Sequence, residues 1–241
     1  MVALDALGLA CDLRATPDRY PGPRPGHSGL LRGPCFHRLY VEGVRVLGEA
    51  RVAAGHCCGS VTEALDVLLA ARGLPTTAGR VLVLGVGANA SPAVLRAKLV
   101  TARVSDVVPM VLARVGSLAV GWSAHLSRRR YVPVTPCRRP GATTSVVGAW
   151  LDPDQVAAVD ATEPGYRRRR LDLNEHELRL DGGTAAREAW VYVSRYGVIG
   201  RAGRAVAARD QRAARTHVPS DAVPGPLSQV ETVDHGLALL P

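Results

Sequence analysis

The sequence predicts a mixed α+β fold, on three observations. Residues 81–84 form a short, β-branched apolar run with the length of a buried strand, and they lead through the turn Gly85-Val86-Gly87-Ala88-Asn89 into a helix start at Ser91-Pro92. Residues 144–151, TSVVGAWL, read as a second buried strand running directly into a helix that opens at Asp152. The rest of the chain lacks the regular strand–helix alternation of a doubly wound parallel sheet.

In the first unit Ser91 is a candidate N-cap, and Pro92 at the first helical position loses no needed N–H. Ala93, Val94, Ala97 and Leu99 give the helix an inward side, with Arg96 and Lys98 reaching solvent. A strand feeding a glycine turn and a helix start presents free backbone N–H groups suited to an anionic or acyl oxygen. Gly85-x-Gly87-x-x-Ala90 also fits the loose dinucleotide fingerprint, with Asp106 where a ribose-binding acid would be sought. A dinucleotide- or S-adenosylmethionine-binding enzyme using Gly85-Val86-Gly87 is therefore an alternative. Against it, that fold starts its helix near the second glycine, which would bury Pro92 in the first turns and remove an N–H bond.

In the second unit Asp152 and Gln155 form a capping box, with Pro153 at the first helical position. The helix continues through Val156, Val159 and Asp160 to Glu163. Pro164-Gly165 breaks it, and Tyr166-Arg167 enters a strand-like segment.

Two stretches carry a family resemblance. Val86-Gly87-Ala88-Asn89-Ala90-Ser91-Pro92, followed by Val94-Leu95-Arg96, resembles the Tyr-Gly-Ser-Asn-Leu-(Ser/Asn)-Pro signature of the γ-glutamylcyclotransferase-like superfamily. The helix ending at Glu163, then a break and Tyr166-Arg167, is similar to its second motif, Leu-Asp-x-x-Glu, a break and Tyr-x-Arg. Ala189-Trp190-Val191-Tyr192-Val193 resembles its closing barrel strand.

The resemblance implies a small β-barrel flanked by helices over residues 80–200. An N-terminal extension, 1–79, would pack on it, and a C-terminal helix and tail would fill 201–241. It also implies an enzyme that expels an amine from a γ-glutamyl amide by intramolecular cyclisation, with Glu163 as general acid/base and no cofactor or metal. Val86, Gly87, Ala88, Asn89 and Tyr166 would bind the substrate. The chemistry is consistent with such a set: the nucleophile is already tethered, so positioning and one proton-transferring carboxylate suffice, a role that partial desolvation of the Glu would favour. Val86 and Ala88 replace the family's Tyr and Ser, so two hydroxyl donors are absent. That points away from glutathione-type substrates. It leaves a γ-glutamyl amine of a specialised biosynthetic pathway, a related amide, or a small-molecule-binding relative that has lost catalysis.

Composition bounds the other classes. Hydrophobic content of 47% argues against a disordered chain, and 4% aromatics makes the core aliphatic. No apolar run reaches the ~18 residues of a membrane span, and the first residues lack a signal-peptide pattern, so the expectation is a cytoplasmic protein with no membrane partner. The net charge of +9 invites a nucleic-acid reading. Its basic residues are almost all Arg, however, and the run at 167–170 would alternate between two faces of a strand rather than form one stripe. Nucleic acid is thus not the expected partner; a small molecule is. Five cysteines, Cys11, Cys35, Cys57, Cys58 and Cys137, show no disulfide-framework spacing. Cys35-Phe36-His37 and His56-Cys57-Cys58 could meet around zinc, but no CxxC pair supports it and no metal is expected.

The remaining elements follow from local patterns. Residues 16–34 are rich in Pro and Gly and read as an extended loop. Residues 36–52 suggest a hairpin turning at Glu42-Gly43. Residues 60–72 suggest a helix with Ser60 and Glu63 as a capping box and Gly73 as its stop. Residues 107–123 are strand-forming. His125 is a candidate second base, against the commoner reading of a hydrogen-bonded structural histidine. Residues 132–136 resemble a cavity-lining segment of the superfamily. A further hairpin is expected from 171 to 193 through Asp181-Gly182-Gly183, then a helix over 204–215 and a loosely held tail beyond Pro219.

Overall fold

The computed structural model describes residues 2–54 and 61–240. From the N-terminus the strands are β1 (Gly29–Arg32), β2 (Cys35–Tyr40), β3 (Arg51–Ala54), β4 (Val61–Ala64), β5 (Val81–Gly85) and β6 (Val108–Trp122). There follow β7 (His125–Leu126), β8 (Val134–Leu151), β9 (Tyr166–Leu171), β10 (Leu178–Leu180) and β11 (Trp190–Ser194). The helices are α1 (Leu65–Ala70), α2 (Pro92–Thr101), α3 (Pro153–Ala161) and α4 (Gln211–Arg215). The protein is therefore a mixed α+β fold in which sheet predominates.

One eleven-stranded sheet organises the chain, in the order Leu239–Leu240, β9, β11, β5, β8, β6, β1, β2, β3, β4, with β10 also paired to β6. The pairing of β11 with β5 is parallel; the other ladders of the sheet are antiparallel. This is not a doubly wound parallel sheet. Nor is it the expected closed barrel: among the described residues the two ends of the sheet, β4 and Leu239–Leu240, do not pair. In β5 and β8, Val83, Val147, Ala149 and Leu151 pack with Leu95, Leu99 and Val159 of α2 and α3. Their alternates Leu82, Leu84, Val146 and Trp150 join the cluster that contains Leu65, Leu68 and Leu69 of α1. Side chains on a strand alternate between faces, and the two faces of β5 and β8 accordingly feed two separate clusters.

Several local expectations hold: β5, the helix start at Pro92, the strand into α3, the Asp152/Gln155 capping box and the left-handed Gly73 all form. The β2–β3 hairpin forms too, with Gly43 in its connection, though residues 41–50 are loop rather than strand. Others give way to long-range pairing. The helix expected from residue 60 begins only at Leu65, because residues 61–64 pair with β3 and Glu63 sits opposite Val52. Ser60, and with it the expected cap, lies outside the described residues, as do His56, Cys57 and Cys58. The 171–193 hairpin does not form: β10 pairs with β6, while β11 pairs with β9 and β5. The helix over 204–215 shortens to α4, because the Val206 and Ala208 amides bond the Ile199 and Val120 carbonyls. The tail is pinned rather than loose, with Gly225–Pro226 on β7, Thr232–Val233 on Val198–Arg201 and Leu239–Leu240 on β9. Among the described residues no helix is long and apolar enough to cross a membrane.

Candidate active site

The loop after β5 is built by two close approaches. A Cβ on Gly85 would lie 2.7 Å from the Ala90 nitrogen and 2.9 Å from the Asn89 carbonyl carbon, so only glycine lets the chain fold back there. A Cβ on Gly87 would lie 2.8 Å from the Tyr20 hydroxyl and 2.9 Å from Val134 Cγ2. Ala88–Ala90 then makes one tight helical turn before α2. Among the described residues no turn or loop backbone bond takes up the amides of Val86, Gly87, Ala88 or Asn89. Ser91 occupies the N-cap position, but its side chain makes no cap; its Oγ is buried and has no hydrogen-bond partner among the described residues.

Glu163 is delivered from the other side by α3. The start of that helix is tied down by Arg80, which donates to the carbonyls of Pro75, Val107 and Trp150 and to Gln155 Oε1, and pairs with Asp152 at 3.5 Å. A buried guanidinium with this many acceptors fixes where β5, β8 and α3 meet. At the far end of α3 the Glu163 amide bonds the Asp160 carbonyl, and the chain turns into β9.

The two sides meet through side chains. Glu163 Oε1 accepts from Lys98 Nζ at 2.6 Å and from Asn89 Nδ2 at 3.0 Å, and Lys98 Nζ also donates to Asn89 Oδ1 at 2.8 Å. The Lys98 and Glu163 side chains are 17% and 16% exposed. Lys98 therefore does not reach into solvent as its helical position suggests. It gives an ion-pair partner to the carboxylate that the sequence reading expects only to be partly desolvated.

A cavity of ≈ 960 Å³ lies between these elements, within the size range of small-molecule sites. Val86, Gly87, Ala88, Asn89, Glu163 and Tyr166 all line it. Tyr166 presents its ring, since its hydroxyl is committed to the Val134 carbonyl at 2.9 Å. The N-terminal segment supplies Cys11, Asp12, Arg14 and Tyr20, and the expected lining segment contributes Pro133 and Val134. Tyr20 stacks on Tyr131 with centroids 4.2 Å apart, and its oxygen accepts from the Val134 amide at 2.9 Å. Burial pushes the Tyr20, Tyr131 and Tyr166 phenols above their ordinary range, with smaller contributions from neighbouring phenols and from the negative charge of Glu163, so they stay un-ionised. Arg14, Lys98, Arg128 and Arg129 outnumber Asp12 and Glu163 on the lining, which favours an anionic ligand. Asp106, the acid considered for a ribose, is not on this cavity; it accepts from Arg96 Nε at 3.0 Å and from the Gly33 amide.

Lys98 and Tyr20 are the site residues that pattern reasoning passes over. Lys98 carried one usable signal: it is the chain's single lysine among 30 Lys and Arg residues. Tyr20 carried none, since it sits in a Pro- and Gly-rich loop remote in sequence from the rest. Among the described residues no group of His, Cys, Asp and Glu is arranged to hold a metal.

No protein-family model matches the chain, and no curated protein sequence matches it. Among solved structures it is similar to an uncharacterized protein from Homo sapiens, with a TM-score of 0.36 and 14% identity over 48% of this chain and 67% of that one. It is also similar to a structure described as a gamma-glutamyl cyclotransferase, with a TM-score of 0.37 and 14% identity over 48% of this chain and 66% of that one. Both are weak similarities of fold.

Proposed function

We propose that the chain is a γ-glutamylcyclotransferase-like, amide-cleaving cyclase with Glu163 as general acid/base and the loop Val86-Gly87-Ala88-Asn89 as its oxygen-binding wall. The observation that supports it is the joining of Glu163 to Asn89 and Lys98 across one cavity. In this reading residues 80–200 carry the chemistry, residues 1–79 close part of the cavity through Tyr20, and residues 201–241 brace it.

The substrate's α-ammonium gives a proton to the Glu163 carboxylate, and the freed amine attacks the γ-carbonyl. A C–N bond forms, closing a five-membered lactam, and the original amide C–N bond breaks. The proton held by Glu163 passes to the leaving nitrogen; Glu163 then takes the second proton from the new ring nitrogen and gives it to the departing amine, so the products are neutral-ring 5-oxoproline and an ammonium. Amides of the loop, free of turn bonds, stabilise the oxygen that gains charge during the attack. Lys98 holds the carboxylate in place, and the arginines on the lining attract the substrate's α-carboxylate.

A binding protein without turnover is the second reading, favoured by one observation: Oε1 of Glu163 is already shared by Lys98 and Asn89. Mass spectrometry of a panel of γ-glutamyl amines separates the two, since the cyclase releases 5-oxoproline and the binding protein returns the panel intact.

A further inference from the structure

The proposed reaction makes no use of His125, although it lines the cavity and is only 9% exposed. Its ring packs against Tyr196, with centroids 4.8 Å apart, and against Tyr166 at 5.8 Å. Its Nδ1 lies 2.6 Å from Ser123 Oγ, and Ser123 Oγ lies 2.6 Å from Ser194 Oγ. Ser194 Oγ in turn accepts the Tyr196 amide at 3.0 Å. No hydrogen bond among the described residues uses Nε2, which lies 3.3 Å from where a Cβ on Gly165, another lining residue, would stand.

The proton count along this chain has a direction. The Tyr196 amide can only donate, so Ser194 accepts it and has its own proton left to place. The bonded acceptor for that proton is Ser123 Oγ, whose own proton has His125 Nδ1, at 2.6 Å, and the nearby Tyr166 oxygen as acceptors; the short Nδ1 contact takes it. Tyr166, the other hydroxyl beside Ser123, spends its proton on the Val134 carbonyl. In this arrangement every hydroxyl proton has an acceptor, and the imidazole carries its hydrogen on Nε2.

We propose that His125 is a neutral Nε2–H donor that binds an uncharged acceptor oxygen of the ligand, an amide carbonyl, and that Ser194 and Ser123 fix its tautomer. It is thus a ligand-binding residue rather than a second base. Burial lowers its pKa to about 4, in keeping with a ring that stays neutral at physiological pH. The inference rests on the cavity being the ligand site, as in the proposed function, but not on turnover.

The test is long-range ¹⁵N–¹H NMR of the full-length protein at pH 7, with the His125 signals assigned by their loss in His125→Gln. The expected spectrum shows the Nε2-protonated tautomer, and Ser123→Ala mixes the two tautomers. Acetamide, a minimal carbonyl probe, is then titrated into the wild type, and a saturable shift of the His125 ring signals is expected. An Nδ1-protonated or doubly protonated ring, an unchanged tautomer in Ser123→Ala, or no shift with acetamide overturns the proposal. A panel of γ-glutamyl amines returned intact, with the tautomer and the acetamide shift as expected, would remove the cyclase reading and leave this one standing.

Discussion

Lys98 Nζ lies 2.6 Å from Glu163 Oε1, and the same ammonium donates to Asn89 Oδ1 at 2.8 Å. One cation from α2 thus joins the loop after β5 to the carboxylate after α3. Two segments 65 or more residues apart in sequence become one site through it.

Replacing Lys98 tests that bridge. Lys98→Met leaves a largely buried carboxylate with Asn89 alone, which we expect to cost about 1–3 kcal/mol of stability in urea denaturation. Lys98→Arg does not restore the wild type, because a planar fork cannot bond Asn89 and Glu163 as a compact ammonium does. Wild-type stability in Lys98→Met would show that the ion pair contributes nothing.

The two loop glycines predict an ordered pair of effects. Gly85→Ala drives a methyl into backbone atoms at 2.7–2.9 Å, which side-chain movement cannot relieve. Gly87→Ala meets the Tyr20 hydroxyl and a Val134 methyl, which can shift. The first variant should lose about 3 kcal/mol and the second about 1 kcal/mol, read from chemical unfolding midpoints. The reverse order would contradict the loop geometry.

Acid should destabilise the protein through its buried imidazoles. His125 titrates near about 4 when folded against an ordinary value of 6.5. Between those values the unfolded chain binds more protons, so stability falls as pH is lowered from about 6.5 toward about 4. His125 alone contributes about 3 kcal/mol to that loss. His37 and His235, also held below their ordinary value by burial, act in the same direction. His125→Gln should be less sensitive to pH than the wild type in urea titrations at pH 7 and pH 4.5; equal sensitivity would contradict the assignment.

What was legible in the sequence was local. The strand, the glycine turn, the Pro92 helix start and the Asp152/Gln155 box each depend on residues within one turn or one strand, so propensity and capping rules reach them. The pairing of Val86-Gly87-Ala88-Asn89 with Glu163 was approached through a two-motif resemblance, and these residues do line one cavity. What stayed hidden depends on distant partners. Lys98 reads as a surface lysine until α3 packs beside α2, and Tyr20 reads as loop until Val134 donates to it. Residues 204–208 have helical composition, yet their amides bond carbonyls at Ile199 and Val120. The open sheet was likewise unreadable, because its strand order rests on pairings between distant segments, and β1 to β4 come from a region outside the resemblance.

The most direct measurement of the central claim is mass-spectrometric detection of 5-oxoproline from a panel of γ-glutamyl amines, with wild type beside Glu163→Gln. The account predicts release from at least one amide by the wild type, and a loss of about 10²–10⁴-fold in the variant, the range expected for a missing general acid/base. Circular dichroism should show that the variant keeps its fold. A panel returned intact by the wild type, or undiminished release by Glu163→Gln, would contradict it.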